Sequence, residues 1–227
     1  MQALTAPFAV VADAVSFLGS ALLIGRIRVS EVAPAPSGSS SCTTTVNFFT
    51  FMSNALLVLF ASRELRLSAG AIGIALGIGS LGAVAGAALA PRVSRLIGLG
   101  RTAIVGAVVF PAPLAAVALA AGPAWAKVAV LAGAELLSSV GVMLMDINLN
   151  ALLTKVTPDA ARGRRAGGYT AVNYGIRPLG ALAGGWLGTV LGLRPTFVVA
   201  GVGGTLAALW LLASPVRRIA VLEAGAP

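Results

Sequence analysis

Histidine is absent from this 227-residue chain, and cysteine occurs once, as Cys42. A single cysteine excludes an internal disulfide and a cysteine-based metal cluster. Without histidine the chain lacks the commonest metal ligand and the usual proton shuttle, so any proton chemistry falls to carboxylates. The sequence also has neither a Gly-x-x-x-x-Gly-Lys-Ser/Thr loop nor a nucleophile–base pairing. We therefore predict no metal, no cofactor and no enzymatic activity.

Charged residues are also scarce, at 10% of the chain against 58% hydrophobic residues. A soluble domain of this length cannot hide so much apolar surface, so the composition predicts an all-α membrane protein. Basic residues outnumber acidic ones 16 to 7. The arginines follow the ends of apolar runs, which favours topological anchoring over binding to nucleic acid.

Seven apolar stretches are long enough, or nearly so, for a helix of about 20 residues to cross a bilayer. They run approximately over Pro7–Gly25, Thr43–Ala61, Ala69–Ala90, Thr102–Gly122, Trp125–Asn148, Tyr169–Gly192 and Pro195–Ser214. A Pro- and Ser-rich segment separates the first two. The predicted organisation is a single helix in residues 1–29, a flexible cytoplasmic linker in residues 30–45, and a six-helix bundle in residues 46–227.

The loops between these stretches predict the orientation of the chain. Eleven basic residues lie in one alternate set of loops and four in the other set. The positive-inside rule assigns the richer set, and with it the C-terminus, to the cytoplasm. Seven crossings then leave the N-terminus outside, so the first helix is expected to follow others.

Two loops of the cytoplasmic set carry the most specific patterns. The first is interpreted as a short turn between helices, and its key residues are Pro91, Arg92, Arg95, Gly98 and Arg101. The second contains Asp159 and Arg164 within a Pro-Asp-x-x-x-Gly-Arg segment, and a Pro-Leu-Gly-x-Leu-x-Gly-Gly run follows at Pro178. Upstream, Asp13 begins an Asp-Ala-Val-Ser-Phe-Leu run.

In their order and spacing these motifs resemble helices six to twelve of the major facilitator superfamily, in its bacterial branch of drug and siderophore exporters. The resemblance implies a multi-pass protein of the plasma membrane that exports amphipathic small molecules in exchange for protons by alternating access. It also implies that the loop arginines help to close a cytoplasmic gate, and that a six-helix N-terminal half is a missing partner. The alternative is a truncated membrane fragment, or a packing subunit, without transport activity of its own.

Two carboxylates lie within the fifth apolar stretch. Glu135 and Asp146 are eleven residues apart, which places them on nearly the same helical face. An ionised carboxylate inside a bilayer is costly, so each is expected to face a cavity or a partner, or to be protonated. We interpret Glu135 as a proton-exchanging residue or a protonated packing residue, and Asp146 as a pathway residue or the partner of an arginine.

Other polar residues complete the predicted proton and substrate pathway. Arg177 either neutralises a carboxylate in the bundle or extends to the cytoplasmic interface. The remaining pathway candidates are Asn47, Asn54, Asn148 and Asn150, with Phe48, Phe49 and Phe51 as either cavity lining or core.

Glycines recur at every fourth position in the sixth stretch. They are Gly180, Gly184, Gly188 and Gly192, and Gly73–Gly77 and Gly82–Gly86 have a similar spacing in the third stretch. Such stripes let a neighbouring helix approach closely. They are interpreted as helix packing, with a sliding surface as the alternative.

Overall fold

The computed structural model describes the backbone of residues 37–156 and 159–213, and the side chains of residues 40–155 and 167–213. All of these belong to one compact unit. The predictions for Pro7–Gly25, for Asp13 and for the first part of the linker lie outside the described residues.

Helices make up most of the described chain, and no strand occurs within it. Its helices are α1 (Ser37–Arg63), α2 (Ala69–Ile97), α3 (Leu99–Val109), α4 (Ala112–Ala118), α5 (Ala124–Val156), α6 (Asp159–Val190), α7 (Leu193–Leu206) and α8 (Ala208–Ala213). The all-α prediction is confirmed. Because α1 begins at Ser37, residues 37–45 of the predicted flexible linker belong to a helix instead.

Five helical segments are long and apolar enough to cross a membrane. They are Ser40–Arg63, Ala69–Ile97, Leu99–Ala118, Ala124–Lys155 and Leu193–Ala213. Helix α6 is long enough but is not among them. Its polar residues include Asn173 and Arg177. The sixth predicted crossing is therefore a helix, but too polar to be identified as a span from composition.

Two predicted boundaries differ from the observed ones. The fourth stretch is one membrane-length segment, Leu99–Ala118, but its helical hydrogen bonding is interrupted between α3 and α4 at Phe110 and Pro111, which keep helical dihedrals. Proline has no N–H to donate to the preceding turn, which accounts for the break. Conversely, the turn predicted around Pro91 is largely helical, since α2 continues to Ile97 with this proline inside it. The real break is Gly98, whose φ of 90° favours glycine.

Helix pairs bring the apolar residues together. Helix α2 packs along α5, which also contacts α3, while α1 packs along α6 and α7. One buried cluster surrounds Phe60 and Phe197, whose ring centroids are 4.6 Å apart. A second surrounds Val46, Met145 and Leu211.

Many large apolar side chains remain on the outer surface of the bundle. Leu81 and Trp186, for example, are each 66% exposed. Water would not stabilise such a surface, whereas lipid tails match it. The architecture is therefore an all-α membrane bundle.

Candidate functional site

Polar contacts between α1 and α6 form a regular series. Asn47 Nδ2 donates a hydrogen bond of 2.8 Å to Asn173 Oδ1. One turn earlier, the side chain of Thr43 hydrogen-bonds with Tyr169. One turn later, the guanidinium of Arg177 lies over the ring of Phe51.

Each step in this series advances both helices by four residues, so α1 and α6 run in the same direction. Asn173 Nδ2 also donates to the Tyr169 carbonyl oxygen at 3.0 Å within α6. We call Asn47, Asp146, Tyr169, Asn173 and Arg177 the polar cluster.

The same pair of helices touches along a second line, where glycines of α6 meet α1. A Cβ added at Gly180 would collide with the carbonyl oxygen of Phe48, and one at Gly184 with that of Met52. At Gly188 it would lie 3.0 Å from the Leu56 side chain. These contacts hold the two backbones close, which brings the polar side chains within hydrogen-bonding range.

The other predicted glycine positions differ in what surrounds them. Gly192 does not continue the stripe, because it lies after the end of α6, has a φ of 91° and directly precedes α7. A Cβ at Gly73 or Gly77 would meet nothing within 4 Å. Gly82 and Gly86, in contrast, lie directly against the backbone of α5.

Asp146 joins the polar cluster from α5. Its carboxyl group is close enough to Arg177 for the guanidinium charge to act on it. The same carboxyl group also interacts electrostatically with Tyr169. Asp146 and Arg177 do not form a direct ion pair within the part of the chain that the structure describes. The cluster thus contains a carboxyl group and a guanidinium that interact electrostatically without a direct ion pair.

Glu135 lies on the same face of α5 as Asp146, three turns away, and is half-buried. Its Cβ would be 3.0 Å from a Cβ added at Gly79, so it packs against α2. Asn150 shares this face and is exposed. Asn148 points elsewhere: it is 1% exposed, and its Nδ2 donates 2.7 Å to the Leu144 carbonyl oxygen. The structure therefore separates Asn148 from the other candidates on this helix.

The remaining candidates take no part in the hydrogen bonds of the cluster. Asn54 is exposed on the α1 face that also bears Asn47. Phe48 and Phe49 contact each other edge to face, with centroids 5.3 Å apart. Phe49 also lies against Gly203 of α7, so it belongs to helix packing.

Among the predicted gate residues that the structure describes, Pro91 and the arginines are exposed, whereas Gly98 is buried. Arg92, Arg95 and Arg101 are exposed, and Arg95 Nε donates 3.2 Å to the Pro91 carbonyl oxygen. The backbone at Asp159 and Arg164 is helical, and their side chains lie outside the described set. Interhelical charge networks at this loop stay a prediction.

Sequence reasoning missed Tyr169 and Asn173, which belong to the polar cluster, and Tyr174, whose ring centroid lies 4.1 Å from the Arg177 Cζ. Tyr169, Asn173 and Arg177 are spaced by four, which places them on one helical face. Polar residues at that spacing in a membrane helix were the available signal.

A second polar group that was not predicted holds three loops together. Arg194 Nη1 donates to the carbonyl oxygens of Ala118 at 2.7 Å and Ala120 at 3.2 Å, and Arg194 Nε is 3.5 Å from Glu64 Oε2. Lys127 Nζ donates to the Leu65 carbonyl oxygen at 3.2 Å. These loops belong to the alternate set that contains only four basic residues, and their contacts bring them together at one end of the bundle.

Comparison with known proteins identifies the family. Residues 40–226 match the family model described as the Major Facilitator Superfamily. No curated protein and no solved structure matches the chain. The match covers most of the chain and agrees with an apolar, all-α bundle of membrane-crossing length. The chain is thus a multi-pass membrane protein that belongs to the Major Facilitator Superfamily, a family of membrane transporters and not of enzymes.

Proposed function

We propose that this protein takes part in proton-coupled export of amphipathic, drug-like small molecules, by alternating access across the plasma membrane, with its C-terminus in the cytoplasm. The observation that carries the proposal is the polar cluster, in which Asp146 lies near Arg177 without a direct ion pair. It is a site with ionisable groups inside a bundle whose helices are mostly apolar.

Proton coupling follows from the cost of charge in this environment. An ionised carboxylate in a membrane bundle is stable only beside a compensating charge, or else it takes up a proton. Asp146 has such a charge in Arg177, so any ligand that alters the contacts of Arg177 also alters the proton affinity of Asp146. Glu135 has no such partner among residues 40–155 and 167–213, and is therefore the second candidate for protonation.

Transport in this fold requires a route that opens alternately to each side of the membrane. We infer that the polar cluster faces this route, and that the exposed arginines Arg92, Arg95 and Arg101 contribute to closing its cytoplasmic end. The partner that completes the route is proposed to be an N-terminal six-helix half. We propose that the protein belongs to the bacterial drug and siderophore exporter branch.

Transport by the full chain in proteoliposomes with an acidic interior tests the proposal. Outward proton movement is expected to drive accumulation of an amphipathic dye, measured by fluorescence self-quenching. Rhodamine B and its ethyl ester serve as probes, because they share an apolar body and differ in charge. Nigericin, which dissipates the pH gradient, is expected to abolish accumulation.

Variants connect this activity with the polar cluster. Asp146→Asn and Glu135→Gln are each expected to reduce gradient-driven accumulation at least tenfold, because removing a positioned proton carrier typically has such an effect. Glu64→Gln is the matched control, since Glu64 is 41% exposed, lies beyond the end of α1 and contacts Arg194 instead of the cluster. Unchanged accumulation in both cluster variants would refute the assigned roles.

The competing interpretation is a non-transporting membrane fragment or packing subunit. It predicts that neither dye moves in response to the gradient, whether the chain is reconstituted alone or together with a six-helix N-terminal half. That result would refute the transport proposal for this chain.

A further inference from the structure

Arg177 has an incomplete set of contacts. Its Cζ lies 4.1 Å from the ring centroid of Tyr174 and 4.7 Å from that of Phe51. Its Nε is buried and has no hydrogen-bond partner. Within the described chain no hydrogen bond or ion pair from this guanidinium is found.

Ring contacts and hydrogen bonds satisfy different parts of a guanidinium. A cation over an aromatic face is attracted by the ring quadrupole, and this attraction uses none of the five N–H donors of arginine. A buried donor without an acceptor is costly, and a buried charge more so. The rings of Phe51 and Tyr174 therefore hold Arg177 in position while its buried Nε still lacks an acceptor.

The geometry of the missing acceptor follows from the arginine fork. A guanidinium pairs best with a planar oxyanion, above all a carboxylate, through two parallel N–H···O bonds. Asp146 supplies long-range attraction but not this direct contact. An oxyanion from outside the described chain is thus the group that Arg177 is best arranged to bind.

The charge of Asp146 defines the rest of the ligand. If only an anion bound to Arg177, the carboxylate of Asp146 would lose its compensating charge and would repel the ligand. A ligand that also carries a cationic group would restore the balance at Asp146. The neutral Asn47–Asn173 pair adds no net charge to this arrangement.

We propose that the polar cluster binds an amphipathic zwitterion, with its oxyanion on Arg177 and its cationic group facing Asp146. This inference rests on the proposed function, because it identifies the substrate class of the same site. The cationic group and a proton compete for Asp146, so a bound ligand and a protonated Asp146 exclude each other. Such competition is what exchange of substrate for protons requires.

Equilibrium binding to the full chain in lipid nanodiscs tests the inference without any pH gradient. The probes are rhodamine B, which is a zwitterion, its ethyl ester, which is a cation, and fluorescein, which is an anion on a related xanthene body. Fluorescence polarisation is expected to rank rhodamine B first. The ester and fluorescein should each bind about tenfold to a hundredfold more weakly, because each lacks one charge-assisted contact.

Variants separate the two contacts. Arg177→Gln is expected to weaken rhodamine B and fluorescein but not the ester, and Arg177→Lys to restore part of the loss through charge alone. Asp146→Asn should weaken rhodamine B and the ester, and should tighten fluorescein. Arg63→Gln, which removes an exposed arginine to which no role in the site or the gate is assigned, is the matched control and should leave all three affinities unchanged.

Two results would overturn the inference. An ester that binds as tightly as rhodamine B would show that no oxyanion is recognised, and tightest binding of fluorescein would indicate a plain anion site. The dye ranking in the unmodified protein decides between these outcomes even if a variant fails to fold. If rhodamine B binds most tightly but no dye is transported in response to the gradient, the inference stands and the proposed function is refuted. If dye is transported but rhodamine B does not bind most tightly, the proposed function stands and the inference is refuted.

Discussion

Replacement of Gly184 by alanine tests the close approach of α1 and α6, on which the polar cluster depends. An added Cβ would collide with the carbonyl oxygen of Met52 and lie 2.9 Å from its carbonyl carbon. Backbone atoms cannot move aside as a flexible side chain can, so the two helices would have to separate. Overpacking of this kind costs about 1–3 kcal/mol.

The neighbouring Gly185 supplies a matched control, because a Cβ there would meet nothing within 4 Å. Both substitutions exchange glycine for alanine in the same helix, and so share the gain of about 1 kcal/mol in helix propensity. The difference between Gly184→Ala and Gly185→Ala therefore isolates the packing cost. At about 2–4 °C for each kcal/mol, Gly184→Ala should melt roughly 2–12 °C below Gly185→Ala.

The melting temperature can be followed in detergent by the loss of the monodisperse peak in size-exclusion chromatography after heating. A reduced affinity of Gly184→Ala for rhodamine B would be the functional counterpart, since the polar cluster depends on the same helix contact. Equal melting temperatures for the two variants would refute the close contact of α1 with α6.

Three further predictions concern stability, each measured by the same melting assay. Arg194→Met should destabilise the bundle by about 2 kcal/mol, because it removes hydrogen bonds to two carbonyl oxygens. Glu64→Gln should cost under about 1 kcal/mol, because it removes only an exposed ion pair. Equal losses of stability in the two variants would contradict the larger role of the hydrogen bonds. In a double-mutant cycle, Asn47→Ala and Asn173→Ala should be coupled by about 0.6 kcal/mol, and additive effects would argue against their hydrogen bond. Gly98→Ala should cost about 1–3 kcal/mol, since φ of 90° with ψ of 156° is accessible almost only to glycine, and an unchanged melting temperature would contradict this backbone conformation.

Part of the candidate site was predictable from spacing along one helix. Glu135 and Asp146 share a face of α5 as their separation of eleven residues indicates, because helical geometry fixes angles around a single axis. Asn148 was expected to line the pathway together with Asp146, yet a residue two positions further along a helix lies on nearly the opposite face. The structure accordingly buries it against its own helix at Leu144.

The sequence by itself determined the class of the protein and the approximate position of its helices, because length, apolar content and the placement of charges are properties of the chain alone. It did not determine which helices are neighbours. In a membrane, both the lipid-facing and the core-facing sides of a helix are apolar, so periodicity hardly distinguishes them. Only the tertiary structure brought Asn47 to Asn173 and Phe51 to Arg177, since these pairs depend on how closely α6 can approach α1 through its glycines.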